Sequence, residues 1–227
     1  MKPEKKIITI DGPAGAGKST MARALAEQLH WLYLDTGAMY RAVAVAVEKA
    51  GKDVADDSGL SEVLAKLDLR VMPGLRKTRI FLGEQEVTEK IREPRISALA
   101  STVSAKASVR SAMVEQQKKI GEKGRIVAEG RDMGTVVFPE AGVKFFLKAS
   151  PRERARRRFE ELRQKGKEIS LEQVSQDMIA RDQADSSREL SPLRPAENAV
   201  IIDSTGLTIE EVQERMLKII HQKWPAL

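Results

Sequence analysis

The chain reads as an α/β protein built on a doubly wound, parallel sheet of five strands. Short, nearly all-apolar runs at residues 7–10, 32–34, 126–128, 143–147 and 200–202 alternate with amphipathic segments. That alternation is the signature of repeated strand–helix–strand units. The runs are almost wholly apolar, as strands are when both faces of their sheet are covered. The first run also enters a glycine-rich turn that leads into a helix-prone stretch at residues 21–26.

Composition narrows the class. Of the 227 residues, 41% are hydrophobic and 32% charged, which suits a globular chain with a substantial core. No apolar run approaches the roughly 18 residues of a membrane helix. The charged opening, Met1-Lys2-Pro3-Glu4-Lys5-Lys6, has no signal-peptide apolar region. Cysteine is absent, which excludes disulfides and thiolate metal sites. His30 and His221 are too few and too separated for a zinc site. These features predict a cytoplasmic protein without a membrane partner. Lys and Arg number 39 against 33 Asp and Glu, a net charge of +6. Such a balance fits nucleic acid, or a cleft for polyanionic small molecules. Arginines concentrate after residue 125 while aromatics make up only 4%. A single-strand binder needs stacking rings among its cations, so a nucleotide cleft is expected and no nucleic acid.

The turn after the first strand carries the sharpest motif. Gly12, Pro13, Ala14, Gly15, Ala16, Gly17, Lys18 and Ser19 fit G-x-x-x-x-G-K-S/T without mismatch, and Thr20 follows. Strand, glycine turn and helix are the context that makes this pattern a phosphate site. Backbone N–H groups converge on phosphate oxygens, and the helix N-terminus adds its positive dipole end. Lys18 is placed to reach the β- and γ-phosphates, and Ser19 to meet Mg²⁺, directly or through water. The chain is therefore expected to bind a nucleoside triphosphate.

The second strand ends in Asp35-Thr36-Gly37-Ala38-Met39-Tyr40-Arg41. Open α/β sheets place ligands at strand C-termini. Arg41 offers a bidentate anion fork, and Thr36 offers a hydroxyl, either to a ligand or as a helix cap. Two short strands near residues 67–71 and 78–82, with Pro73-Gly74 between them and a possible third at 86–88, break the alternation. They predict an antiparallel insert over about residues 64–92. Within the long helical stretch 96–120, Ser101 and Arg110 lie nine residues apart, about 180° around an ideal helix. If both bind one ligand the helix must break, with Ala107-Ser108 the expected point.

The third strand ends in Glu129-Gly130-Arg131-Asp132-Met133-Gly134-Thr135, an Arg–Asp pair on a glycine-flanked turn at another strand end. Residues 150–167 carry Arg152, Arg154, Arg156, Arg157, Arg158 and Arg163. So many arginines cannot all face a core, and they suit a mobile lid over a triphosphate. Capping-box patterns begin at Ser150, Ser170 and Thr208. On the helix after Ser170, Arg181, Asp185 and Arg188 are spaced to project from one face, and Asp177 extends the row. The last helix has a stripe of Val212, Met216, Ile219 and Ile220, read as core. Asp203-Ser204-Thr205-Gly206 mimics a GTPase D-x-x-G, but no N-K-x-D motif accompanies it.

These motifs together resemble the bacterial-type cytidylate kinases, a branch of the nucleoside monophosphate kinases. The resemblance covers essentially the whole chain. It rests on residues 12–20, 35–41, 130–139, 181–188 and 203–205, and the Gly-Arg-Asp-Met-Gly-Thr run is its most specific part. It implies a single kinase domain, 1–227. The core would span 1–63, 93–149 and 168–227, with a β-rich monophosphate-binding insert at about 64–92 and a helical lid at about 150–167. It implies ATP with Mg²⁺ on residues 12–20, aided by Arg154, Arg157 and Arg158. CMP or dCMP would be the acceptor. Ser101, Arg110 and Asp132 would read the cytosine. Thr36, Tyr40, Arg41, Arg131 and Arg188 would hold the acceptor and its phosphate, with Arg181 and Asp185 near ribose and phosphates. Lys18, Arg131, Arg181 and Arg188 would stabilise the transferring group. Ser19 stands where many such kinases have Gly, and Thr36 where some have Ser; both substitutions keep or add a hydroxyl. The rivals are a UMP or AMP kinase and, from another class, a basic nucleic-acid-binding ATPase. No apolar stripe is left over for a partner, so a monomer is expected.

Overall fold

A computed structural model describes residues 5–164 and 166–227. Residues 1–4 of the expected core and Lys165 of the expected lid lie outside the described residues. The five predicted parallel strands form one sheet: β1 (Ile7–Asp11), β2 (Leu32–Asp35), β6 (Ile126–Gly130), β7 (Val143–Lys148) and β8 (Val200–Asp203), in the order β2-β6-β1-β7-β8. All four pairings are parallel. All five strands run past their apolar stretch into polar residues. Asp11 pairs with Gly130, and Asp35 with Glu129. Ladder hydrogen bonds belong to the backbone, so pairing continues where the hydrophobic pattern stops. Carboxylates are thereby carried to the strand ends.

Two cores cover the two sheet faces. On one, Ile8 and Ile10 pack with α1 (Lys18–Leu29) and α8 (Ile209–Lys223). On the other, Ile7, Leu34 and Ala128 pack with α2 (Thr36–Lys49), α4 (Pro94–Val103) and α5 (Ala107–Ile120). Of the predicted stripe, Val212, Met216 and Ile220 are buried, and Ile219 is half-buried against the same core. Between α3 (Asp57–Ala65) and α4 lies the antiparallel sheet β3 (Leu69–Met72), β4 (Arg79–Leu82) and β5 (Gln85–Glu86). Its β3–β4 loop docks on the free edge of β2. Tyr33 N donates to Gly74 O at 2.8 Å, while Thr78 Oγ1 donates to Tyr33 O at 2.6 Å and accepts from Asp35 N at 3.2 Å.

Helix starts differ in detail from the box patterns. Thr208 and Glu211 form the full reciprocal box. Ser170 caps Gln173 N, but the Gln173 side chain turns to Asp177. Ser150 Oγ accepts from Glu153 N at 3.3 Å, and the Glu153 carboxylate faces Arg156 and Arg157. The long stretch does break, but at residues 104–106 and not at 107–108. Ser104 donates to Ser101 O at 2.9 Å, and the Ser104 carbonyl is taken by Arg110 at 3.1 Å. Side chains satisfy the backbone groups the break exposes. The arginine-rich α6 (Pro151–Gln164) pairs with α7 (Leu171–Ser186) around a small separate cluster of Ala155, Leu162, Val174 and Met178, with Ala14 of the glycine loop against it.

Candidate active site

The loops that follow β1, β2, β6 and β7 leave the sheet at one end, and the predicted residues converge there. Gly12 has φ +146, and a Cβ on it would meet Leu147 O at 2.0 Å. Only glycine lets the loop start so close to β7. Gly17 caps α1 in a left-handed conformation, and Lys18 folds back so that Nζ donates to Pro13 O at 2.7 Å. Burial lowers the Lys18 ammonium pKa, and Arg131 lowers it further, against the opposite pull of Glu129. Glu129 is itself buried and raised by desolvation, with Lys18 and Ser19 facing its carboxylate. Tyr33 donates its hydroxyl to Glu129 at 2.6 Å. Glu129 is not among the site residues expected from the sequence. Its signal was a carboxylate on the strand beside the glycine loop.

The β2 turn is built differently from its expected form. Asp35, not Thr36, is the N-cap of α2, accepting from Ala38 N at 2.9 Å. A strand-end Asp in extended conformation caps as well as a Thr. Thr36 is buried and donates to Glu129 O at 2.6 Å, tying the β2 and β6 ends together. Arg41 pairs with Asp35 at 2.9 Å, while its Nε is buried without a partner. Gly130 is confined by this packing, since a Cβ there would sit 2.8 Å from Thr36 Oγ1.

The Arg–Asp turn after β6 faces two helices. Arg110 of α5 pairs with Asp132; their side chains are 6% and 3% exposed. Tyr40 lies under the Arg110 guanidinium, 5.6 Å from ring centroid to carbon, and burial pushes its hydroxyl up to about 12. Arg131 Nε donates to Asp185 of α7 at 2.8 Å. Arg188 also bonds Asp185, but from beyond the end of α7 and not from its face. Burial alone would raise the Asp185 carboxyl; Arg131 and Arg188 outweigh it and hold the group below its ordinary range. Arg181 is pushed down to about 10, first by burial and then by Arg131. Its Nε is buried without a partner. Asp177, the outer end of the predicted row, is exposed and accepts from Gln173 instead. Ser101 lies at the helix break, where its carbonyl accepts from Ser104 Oγ at 2.9 Å.

The three arginines predicted from α6 separate. Arg154 is buried, donates to Ala14 O at 3.1 Å and pairs with Asp182. Arg157 donates to Ser204 Oγ and O at 3.0 and 2.7 Å. Ser204 Oγ in turn donates to Ala16 O at 3.2 Å. Arg158 faces Glu161 on its own helix and also contributes to the field at Arg181. Ser204, inside the stretch that mimics a GTPase motif, thus buttresses the glycine loop, a role visible only once β8 lies beside β7.

Lys18, Arg41, Arg131 and Arg181 raise a positive field in a region already shielded from water, and buried Nε atoms are left without acceptors. Such an arrangement invites phosphate oxygens. Beside it, the Arg110–Asp132 pair offers a donor and an acceptor side by side, suited to the polar edge of a base.

Comparison with known proteins agrees. A family model described as Cytidylate kinase matches residues 8–222. Proteins named Cytidylate kinase from Carboxydothermus hydrogenoformans and Syntrophotalea carbinolica are 53% and 48% identical. The alignments cover 95% and 96% of this chain and 97% and 92% of theirs. One from Bacillus subtilis is 45% identical, over 97% of this chain and 99% of its own. Among solved structures, an uncharacterized protein from Eubacterium ventriosum matches with a TM-score of 0.54 at 11% identity, over 96% of this chain and 99% of that one, a likeness of fold alone. With the glycine loop, the Arg–Asp turn and near-full-length similarity in agreement, the chain belongs to the cytidylate kinase family.

Proposed function

We propose that this enzyme transfers the γ-phosphoryl group of ATP to CMP and dCMP, giving ADP with CDP or dCDP, a step of pyrimidine nucleotide metabolism. One observation carries the reading: a buried Lys18 with half-buried Arg41, Arg131 and Arg181, two of whose guanidinium nitrogens are unpartnered, set between a phosphate loop and the Arg110–Asp132 pair. Residues 12–20 hold the donor phosphates. Arg154 and Arg157 brace that loop, and α6 with α7 acts as its lid. Mg²⁺, when bound, neutralises charge on the donor phosphates; the Ser19 hydroxyl and the Glu129 carboxylate are the oxygens that would hold it, directly or through water. The described residues contain no group of three or more acids or histidines. That fits a Mg²⁺ held by few protein ligands and the phosphates.

The acceptor phosphate oxygen is itself the nucleophile. It forms a bond to the γ-phosphorus as the bond to the ADP oxygen breaks, and no covalent enzyme intermediate is needed. The work of the protein is positioning and charge stabilisation. Arg41, Arg131 and Arg188 orient the acceptor phosphate. Lys18 and Arg181 face the passing group, and a closed lid keeps water from taking its place. Asp132, Arg110 and Ser101 read the base. A base that leaves that buried pair unsatisfied is rejected.

A coupled assay with CMP, dCMP, UMP, AMP and GMP tests this. CMP and dCMP should be the best acceptors, and DNA or RNA should not stimulate ATP turnover. AMP or GMP as best acceptor would sink the assignment. Asp132→Ala should lose most acceptor use, leaving a small measurable rate, while ATP binding is largely kept; equal loss of both makes Asp132 structural.

A further inference from the structure

Asp11 has no part in the mechanism so far, yet it is among the most buried carboxylates, 3% exposed at the end of β1. Both its oxygens are engaged. Met133 N donates to Oδ1 at 2.9 Å and Gly134 N to Oδ2 at 2.8 Å. These amides open a short π-helical turn, Met133–Val137, whose own N-cap position is Asp132. The first N–H groups of any helical turn lack intrahelical acceptors, and the residue before them usually supplies one. Asp132 does not: it makes no side-chain cap bond, because its carboxylate is turned to Arg110. The missing cap comes from more than 120 residues away.

We propose that Asp11 is a positioning residue that caps the 133–137 turn in place of Asp132, leaving Asp132 and Arg131 free to address the acceptor nucleotide. Asp11 is joined directly to Gly12 and pairs in register with Gly130. The same residue therefore anchors the start of the phosphate loop and the turn that aims Arg131 and Asp132. Were Asp132 to cap its own turn, its carboxylate would leave Arg110, which would then be buried without its partner, an arrangement costly to a fold. The division of labour between two aspartates removes that conflict. The inference rests on the reading of Arg131 and Asp132 as acceptor contacts.

Kinetics of Asp11→Asn tests it, since the new NH₂ faces one of the two N–H groups, donor against donor. KM for CMP should rise about ten-fold or more while KM for ATP stays within about two-fold, the pattern of a misaimed acceptor site. The preference for CMP over UMP in kcat/KM should fall by a similar factor. In a cycle with Asp132→Ala, Asp11→Asn should add little further loss, as expected when one residue acts through the other. Asp11→Ser, smaller and able to accept one amide, should shift the same quantities less, and carries the test if the Asn variant does not fold. Equal changes for ATP and CMP, an unchanged base preference, full additivity, or failure of both variants to fold would each overturn the proposal. Normal CMP use by Asp132→Ala would instead refute the acceptor reading on which it rests.

Discussion

At the scale of single residues, the site is a set of carboxylates and guanidiniums whose burial does the tuning. Asp11 is the clearest case. Burial lifts its carboxyl to about 6, although the two amide bonds and Lys18 pull the other way and Asp132 adds to the rise. The folded protein therefore holds this proton to higher pH than the unfolded chain does. The corresponding stability is fully present below the unfolded value of about 4 and is lost as pH rises through about 6. Between pH 4 and 7 the unfolding free energy of the wild type, minus that of Asp11→Asn, should fall by about 2 kcal/mol. Denaturant melts of both proteins across that range check it, and a pH-independent difference would mean an ordinary carboxyl. Above that range the ionised carboxylate can accept both amides, the state that the proposed capping requires. Glu129, raised in the same direction, titrates in both proteins and cancels from the comparison.

At the scale of elements, two junctions decide whether the site assembles. One is the break between α4 and α5, where Arg110 takes the Ser104 carbonyl and thereby turns toward Asp132. The need for a break was legible in the spacing of Ser101 and Arg110. Its place was not, because Ala107 and Ser108 carry no stronger stop signal than Ser104, and the bonds at the break, Ser104 to Ser101 O and Arg110 to Ser104 O, form only in the folded geometry. The other junction is Thr78, whose hydroxyl bridges Tyr33 O and Asp35 N and ties the antiparallel sheet to β2. Asp35 in turn caps α2 and holds Arg41. Thr78→Val keeps the shape and removes both bonds, leaving buried backbone groups unpaired at a cost of about 1–3 kcal/mol. KM for CMP should rise with that loss while KM for ATP holds. Thr208→Ala, on the capping box of α8, should cost about 1 kcal/mol and leave both constants alone. If the two variants behave alike in kinetics, the Thr78 junction does not serve the acceptor site.

At the scale of the whole molecule, the two sheet-face cores are large and continuous, whereas α6 and α7 share a separate four-residue cluster. A pair of helices with so small a core of its own sits toward the low end of local stability and can move as a unit. Ala14 packs against that cluster, and the remaining ties to the rest are polar: Arg154 to Ala14 O, Arg157 to Ser204, and Asp185 to Arg131. Amide hydrogen exchange should therefore be faster in residues 151–164 and 171–186 than in the sheet strands. Addition of CMP with a non-hydrolysable ATP analogue should slow it. Exchange that is unchanged by both nucleotides would remove the lid role. Among the described residues no helix is long and apolar enough to cross a membrane.

The sequence by itself determined the parallel strands, the glycine loop between strand and helix, and the charged residues at the strand ends that are expected to meet nucleotide. Those signals are local: an apolar run, a glycine spacing and an Arg–Asp turn each declare themselves within ten residues. Only the tertiary structure decided which charges neutralise one another and which remain for a ligand. Asp35 turned out to cap α2 in place of Thr36, Arg188 to reach Asp185 from outside the helix, and Ser204 to support the loop it follows by more than 180 positions. Asp11, which carries no signal of its own in the sequence, is the cap of a turn in another crossover. Hydrogen bonds act over about 3 Å and are indifferent to chain separation. Pairing between strand ends therefore could not be read along the chain, and had to wait for the sheet that brings those ends together.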